Sequence, residues 1–294
     1  MKKQLILSGA CLLLFGCDTS HQSGPAPQPS LHYVVGSAWH AENRWFYPRE
    51  TFSYAETGLA VVQPKVKGVT PLTADGEVRS DLTMTAAHQT LQLPAIVTVT
   101  NLENGRQAVV RLNDRGPDQA GRLLAVTPRV ASVLGMGHEP VRVRIVENET
   151  ASRELAGQLP GGPALQIAAM PVKEVLQNAL DSSEAPHAVG AVSHTAAVNP
   201  ESRPLTSLPD LPAVWQEGTP APASDLWVET ANFTSRYTAQ RAAAGQGALV
   251  VPTITPQGQM WSVRLGPFST IHEADAALRG SLAAGQTGSH IVVE

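Results

Sequence analysis

Hydrophobic and polar positions alternate most cleanly from Val141 to Val146, where Arg142 and Arg144 separate Val141, Val143 and Ile145. A period of two puts the apolar side chains on one face and the arginines on the other, which predicts a half-exposed β-strand. Ile96-Val97-Thr98-Val99-Thr100 has strand composition, and Asn104-Gly105 is a strong hairpin signal. Residues Gln107 to Leu112 then return as the second strand of that hairpin. Thr127 before Pro128 supplies an N-cap and a first-turn proline, and Gly135 ends the short helix they begin. The pattern from 70 to 147 is that of a β-rich unit.

A second pattern closes the chain. Trp227-Val-Glu-Thr-Ala-Asn-Phe233-Thr-Ser is echoed by Trp261-Ser-Val-Arg-Leu-Gly-Pro-Phe268-Ser-Thr, with one residue of difference in spacing. Each copy reads as strand, turn, then helix. The first helix runs from Arg236 to Ala244 and stops at Gly245; the second starts at the capping-box pair Thr270 and Glu273 and ends near Gly285. Strands near 248–254 and 289–293 complete a βαβ-βαβ unit over 225–294, with helices on one face of the sheet and the other face open.

Between these blocks, residues 151–224 hold ten of the 23 prolines and a single aromatic, Trp215. So little apolar surface does not offset the entropy of ordering, which predicts a disordered linker. A chain of that length has a root-mean-square reach of roughly 50 Å. Residues 31–60, by contrast, concentrate aromatics (Tyr33, Trp39, Trp45, Phe46, Tyr47, Phe52, Tyr54) and are expected to pack on the first unit. The predicted architecture is mostly β plus α+β: a β-barrel unit over 31–150, a linker over 151–224 and a small α+β unit over 225–294.

The N-terminus explains the cysteine count. Lys2 and Lys3 precede an apolar run over 4–16 that is too short to span a bilayer, and Gly16-Cys17 follows it. This is the bacterial lipoprotein pattern: residues 1–16 form the signal peptide, Cys17 becomes the acylated N-terminus and 17–30 a polar tether. Three acyl chains, at about 0.8 kcal/mol per buried CH₂, hold such a protein on a membrane. Cys11 leaves with the signal, so the body has no thiol for a disulfide, a metal site or a nucleophile. Net charge is −4 and becomes −6 (19 − 25) once Lys2 and Lys3 are removed, which disfavours a nucleic-acid partner. The protein is expected on the periplasmic side of a cell membrane. Asp18 leans towards the inner one, and the choice between inner and outer stays open.

Three positions suggest chemistry. Glu77 follows an Asp75-Gly76 turn, His88 lies eleven residues on, and Asp114 stands in Asn113-Asp114-Arg115-Gly116-Pro117, 26 residues past His88. Carboxyl groups on the rim of a small barrel suit general acid–base work on a glycosidic bond. Taken singly, each also has a structural reading: a turn for Asp-Arg-Gly-Pro, a solvated Glu77, a satisfied buried His88.

The strings "TADGE", "MTAAHQTL", "VTVTNLENGRQAVVRLNDRGP", "GRLLAVTPRVASVLGM" and "VRVRIVE" occur in that order. Together they resemble the double-psi β-barrel of the rare lipoprotein A family, and "VRLGPF" at 263–268 resembles a SPOR domain, its usual companion. The resemblance implies a lytic transglycosylase (a lyase) that cuts peptidoglycan glycan strands lacking stem peptides and leaves 1,6-anhydro ends during septal wall remodelling. It maps the family's active-site residues onto Glu77, His88 and Asp114. Asp114 is the expected acid and base, with Glu77 and His88 stabilising positive charge and tuning its pKa, and Asn113 and Arg115 supporting. Trp227 and Trp261 are candidates for stacking on glycan. The implied chemistry needs no metal or cofactor; the implied partners are denuded glycan, the membrane and divisome proteins. Two departures stand out. Leu59-Ala60-Val61-Val62-Gln63 replaces an Ala-Ser-Trp-Tyr-Gly strand, and Leu124-Ala125-Val126-Thr127 replaces Ile-Asp-Leu-Ser. These losses motivate the competing reading, a catalytically impaired wall-binding or division-site scaffold.

Overall fold

The computed structural model describes residues 28–42, 44–67, 71–163, 206–221, 225–255 and 258–294. The signal segment, Cys17, Asp18 and the middle of the linker lie outside them. The first unit contains β1 (Trp39–Ala41), β2 (Arg44–Phe46), β3 (Ala55–Val62), β4 (Thr85–His88), β5 (Ala95–Asn101), β6 (Arg106–Asp114) and β7 (Leu124–Val126). Helix α1 (Pro128–Leu134), β8 (Val141–Glu147) and α2 (Glu149–Gln158) follow. Strands are hydrogen-bonded in the order β4-β7-β3-β8-β5-β6, and β4 pairs again with β6, which closes a six-stranded barrel. Two of these pairings, β3–β7 and β4–β6, are parallel and the others antiparallel. This is the expected double-psi architecture.

Local signals place the elements as read. In β8, Val141, Val143 and Ile145 are buried in the barrel core while Arg142 and Arg144 face outward. Gly105 takes φ 77° in the β5–β6 turn. The Thr127 hydroxyl accepts the Val130 amide at the start of α1, and Gly135 ends it at φ 66°.

The linker expectation fails at both ends of 151–224. At its start, Asn148 caps α2 by accepting the Ala151 amide, and Ser152 Oγ accepts the Ile96 amide at 2.9 Å. Ala156 and Leu159 then bury against Leu31, Tyr33 and Phe52. The aromatic lead-in therefore has a partner that composition did not reveal. Towards the other end, residues 206–221 lie along the barrel and include β9 (Gln216–Glu217), which pairs antiparallel with Arg106 and Gln107 of β6. A proline-rich segment loses little entropy on docking, so backbone hydrogen bonds suffice where apolar area is scarce.

The C-terminal unit is β10 (Leu226–Phe233), α3 (Arg236–Ala243), β11 (Leu249–Thr255), β12 (Gly258–Phe268), α4 (Ile271–Ala283) and β13 (His290–Val293). Its antiparallel sheet has the order β11-β12-β10-β13. Thr270 and Glu273 form the capping box at α4. Edge strand β13 sits against β3 of the barrel: Thr57 Oγ1 donates to Val293 O at 2.8 Å, and Leu59 joins the cluster of Leu226, Val228, Leu278 and Ile291. Full burial of a leucine such as Leu59 contributes about 1.5–3 kcal/mol. Arg122 adds a two-pronged ion pair to Asp275, at 2.7 and 2.8 Å. The two units are docked in this structure.

Candidate active site

Strand β6 organises the site. A pleated strand sends successive side chains to opposite faces. Val110 and Leu112 point into the core, Arg111 and Asn113 share the other face, and a bulge between Leu112 and Asp114 in the pairing with β4 sets Asp114 at the barrel rim.

Residues 73–77 form a tight turn over the end of β6. Thr73 N–H donates to Glu77 O at 2.8 Å, and Asp75 N–H donates to Asn113 O. Gly76 has φ 89°, and a Cβ there would lie 2.0 Å from Ser30 O, so only glycine fits. The turn delivers Glu77 to the outward pair. Arg111 Nη2 reaches both carboxylate oxygens at 3.0 and 3.1 Å, and Asn113 Nδ2 donates to Oε2 at 2.8 Å. Glu77 and Arg111 have side-chain exposures of 4% each, so the ion pair is shielded from water.

Asp114 is held differently. Its Oδ1 accepts the Ala74 amide at 3.0 Å and its neighbour Arg115's amide at 2.8 Å. Burial pushes its carboxyl above the ordinary aspartate range, against those two amides and the charges of Arg79 and Arg115. Both hydrogen bonds fall on Oδ1, which leaves Oδ2 to carry a proton. Asp75 is a further buried carboxyl that sequence reasoning passed over. Burial raises it to about 7, although the Thr73 hydroxyl donates to its Oδ1 at 2.6 Å.

His88 does not join the carboxyl groups. Its Nδ1 accepts the Thr90 and Leu91 amides, so the proton sits on Nε2, 3.1 Å from the Tyr54 hydroxyl. Burial, with the Arg115 charge second, depresses its pKa to about 3. In this structure the imidazole ties Tyr54 of the aromatic lead-in to β4. Among the described residues no hydrogen bond links Glu77, His88 and Asp114 to one another. Glu77 acts on Asp114 through the 73–77 turn, whose Ala74 amide grips the aspartate. Arg115 binds the carbonyls of Val35 and Leu91 and so ties two loops to the rim.

On the C-terminal sheet, Trp261 points to the helix side with Val263 and packs against α3, under the Arg236 guanidinium. Trp227 pairs with Val292 across β10–β13 on the face away from the helices, where Trp227 is half-buried and Val292 buried. Arg264 anchors that face by ion pairs to Glu229, at 3.0 Å, and to Glu294. Glu229, Arg264 and His290 line a cleft of about 870 Å³ whose opposite wall is barrel residues 49–57.

A six-stranded barrel with two parallel pairs and a half-buried acid at its rim, joined to a βαββαβ unit, defines a double-psi barrel protein with a SPOR companion. The comparisons agree. A family model described as lytic transglycolase matches residues 56–145, and a SPOR domain model matches 223–294. The chain is similar to the endolytic peptidoglycan transglycosylase RlpA of Pseudomonas aeruginosa, at 27% identity over 87% of this chain and 76% of the relative. The protein of the same name from Rickettsia bellii is 30% identical over 50% of this chain and 73% of the relative. That of Escherichia coli is 27% identical over 75% and 73%. The chain belongs to the RlpA family.

Proposed function

We propose that this protein is a lytic transglycosylase acting on peptidoglycan strands stripped of stem peptides, at the division septum, anchored through Cys17 to a cell membrane. One observation carries the chemistry: the half-buried Asp114 carboxyl at the barrel rim, raised in pKa, with both amide donors on Oδ1. A carboxyl whose pKa is raised by desolvation holds its proton more readily than an exposed aspartate, which suits a general acid. Protonated Asp114 gives its proton to the glycosidic oxygen as the bond from that oxygen to C1 of N-acetylmuramic acid breaks. The resulting carboxylate then takes the proton of the same sugar's C6 hydroxyl as its oxygen closes on C1. Asp114 ends protonated, no water enters, and the product is a 1,6-anhydro ring. Glu77, paired with Arg111, remains the anion beside the cleft; it stabilises cationic character at C1 and steadies the turn that aims Asp114. The polar open face of the SPOR sheet, with Trp227, supports glycan capture.

A scaffold role is the second reading, favoured by the missing aromatic wall at Val61 and Val62. Incubation of the purified protein with amidase-treated sacculi, followed by mass spectrometry of released ends, separates the two. Anhydro ends are expected; sacculus binding without them would sink the enzyme reading.

A further inference from the structure

The groove beside Glu77 already has an occupant. Leu208 N–H donates to Glu77 Oε1 at 2.9 Å, and Pro209 O accepts Arg111 Nη1 at 2.9 Å, so one dipeptide engages both halves of the buried ion pair. Asp210 Oδ1 accepts the Met84 amide at 2.9 Å, and Leu211 and Ala213 pack on the barrel core. Trp215 lies against the Arg106 guanidinium at 4.6 Å, just before β9. Gly218 and Gly105 then meet backbone to backbone: Gly218 N–H donates to Gly105 O at 2.9 Å, and a Cβ on Gly105 would lie 2.5 Å from Gly218 O. This is a fitted seat for an extended chain. Thr206, Ser207 and Leu208 cover one side of a cavity of about 250 Å³ that Glu77, Arg111 and Asn113 also line.

We propose that residues 206–221 are an intramolecular gate, seated in the groove beside Glu77 and displaced by an incoming glycan strand. The proposal rests on the reading of Glu77 as part of a glycan-cutting site. Three features separate a gate from a permanent strut. The strap closes on a candidate catalytic carboxylate rather than on the far side of the barrel. Its β9 is only two residues long. Pyranose hydroxyls offer the same donors and acceptors that Leu208 N–H and Pro209 O present to Glu77 and Arg111, so exchange conserves hydrogen bonds. Downstream the strap leads directly into β10, so the glycan-binding unit and the gate are neighbours in sequence.

The test uses the full mature protein and two variants: Leu208→Pro, which removes the amide donor to Glu77, and Trp215→Ala, which frees the β9 end. Activity is read as anhydro ends released from amidase-treated sacculi. Hydrogen exchange is read over 206–221 with and without soluble denuded glycan. A gate predicts that Leu208→Pro raises kcat/KM by about tenfold, the change expected on losing one charge-assisted hydrogen bond from the closed state, and that Trp215→Ala raises it by about threefold for the lost cation–π contact. A synthetic 206–221 peptide should reverse the gain in trans, and glycan should lift protection from the strap amides in the wild type. Lower activity with a lower melting temperature in both variants would make the strap a strut and overturn the proposal. So would strap protection unchanged by saturating glycan. If no form cuts glycan but glycan still releases the strap, the gate stands and the enzyme reading falls.

Discussion

Replacing Glu77 by Gln is the perturbation whose cost the structure defines best. Arg111 and Glu77 are in contact at 3.0 Å with almost no solvent exposure. At an effective dielectric of about 20, opposite charges at that distance attract by about 5 kcal/mol. Removing one partner leaves the other charged and buried, for which measured penalties run to about 3–5 kcal/mol. Glutamine also turns an NH₂ group towards donors, since Arg111, Asn113 and the Leu208 amide all point at the carboxylate. Glu77→Gln is therefore expected to lose about 3 kcal/mol or more, measured by urea unfolding at pH 7. Arg111→Met combined with Glu77→Met restores charge balance in the same volume and should recover most of that loss. The coupling energy comes from the double-mutant cycle of Glu77→Met, Arg111→Met and the pair. A value under about 1 kcal/mol would refute the buried-pair argument. The consequence for enzymology is direct: an inactive Glu77→Gln protein is evidence about catalysis only after its stability has been measured.

Asp114→Asn keeps an Oδ1 for the Ala74 and Arg115 amides, so its melting temperature should stay close to wild type while anhydro-end formation falls by about 10²–10⁴-fold; retained activity would move the acid–base role elsewhere. His88 is held neutral down to about 3 by burial, whereas the unfolded imidazole protonates near 6.5. Unfolding thus takes up a proton between those values, so the stability His88 contributes at pH 7 is lost as pH falls from about 6.5 towards 3. The stability gap between wild type and His88→Gln should narrow by about 1.4 kcal/mol per pH unit over that window, and a constant gap in urea titrations at pH 7 and 4.5 would contradict it. Trp227→Ala should weaken sacculus binding with little change in melting temperature, whereas Trp261→Ala, on the helix side, should lower the melting temperature first; calorimetry and pelleting with sacculi distinguish the two.

Most of the fold was legible because its signals are local. The Val/Arg alternation of β8, the Asn104-Gly105 turn, the Thr127-Pro128 start and the Thr270–Glu273 box each specify backbone geometry within a few residues. Glu77, Asn113 and Asp114 were found through motif resemblance. Arg111 was not, although its spacing of two from Asn113 on a strand was the available clue to a shared face. The surroundings of His88 were not legible, because its partners, the Thr90 and Leu91 amides and Tyr54, are fixed only by tertiary packing. The strap escaped notice for a related reason: composition measures how much surface a segment buries by itself, and says nothing of a groove elsewhere that receives its backbone.

Strand β6 also constrains how this protein tolerates changes in length. Its pleat sends Arg111 and Asn113 to one side, where both meet Glu77, and Val110 and Leu112 to the other, with register fixed against β5. Inserting one residue between Gly105 and Arg111 would exchange the two sides, turning Arg111 away from Glu77 and Val110 out of the core. An insertion of two would preserve parity and merely lengthen the hairpin. Related sequences should therefore vary in this strand by even numbers, while the turn at 102–105 is free of that arithmetic.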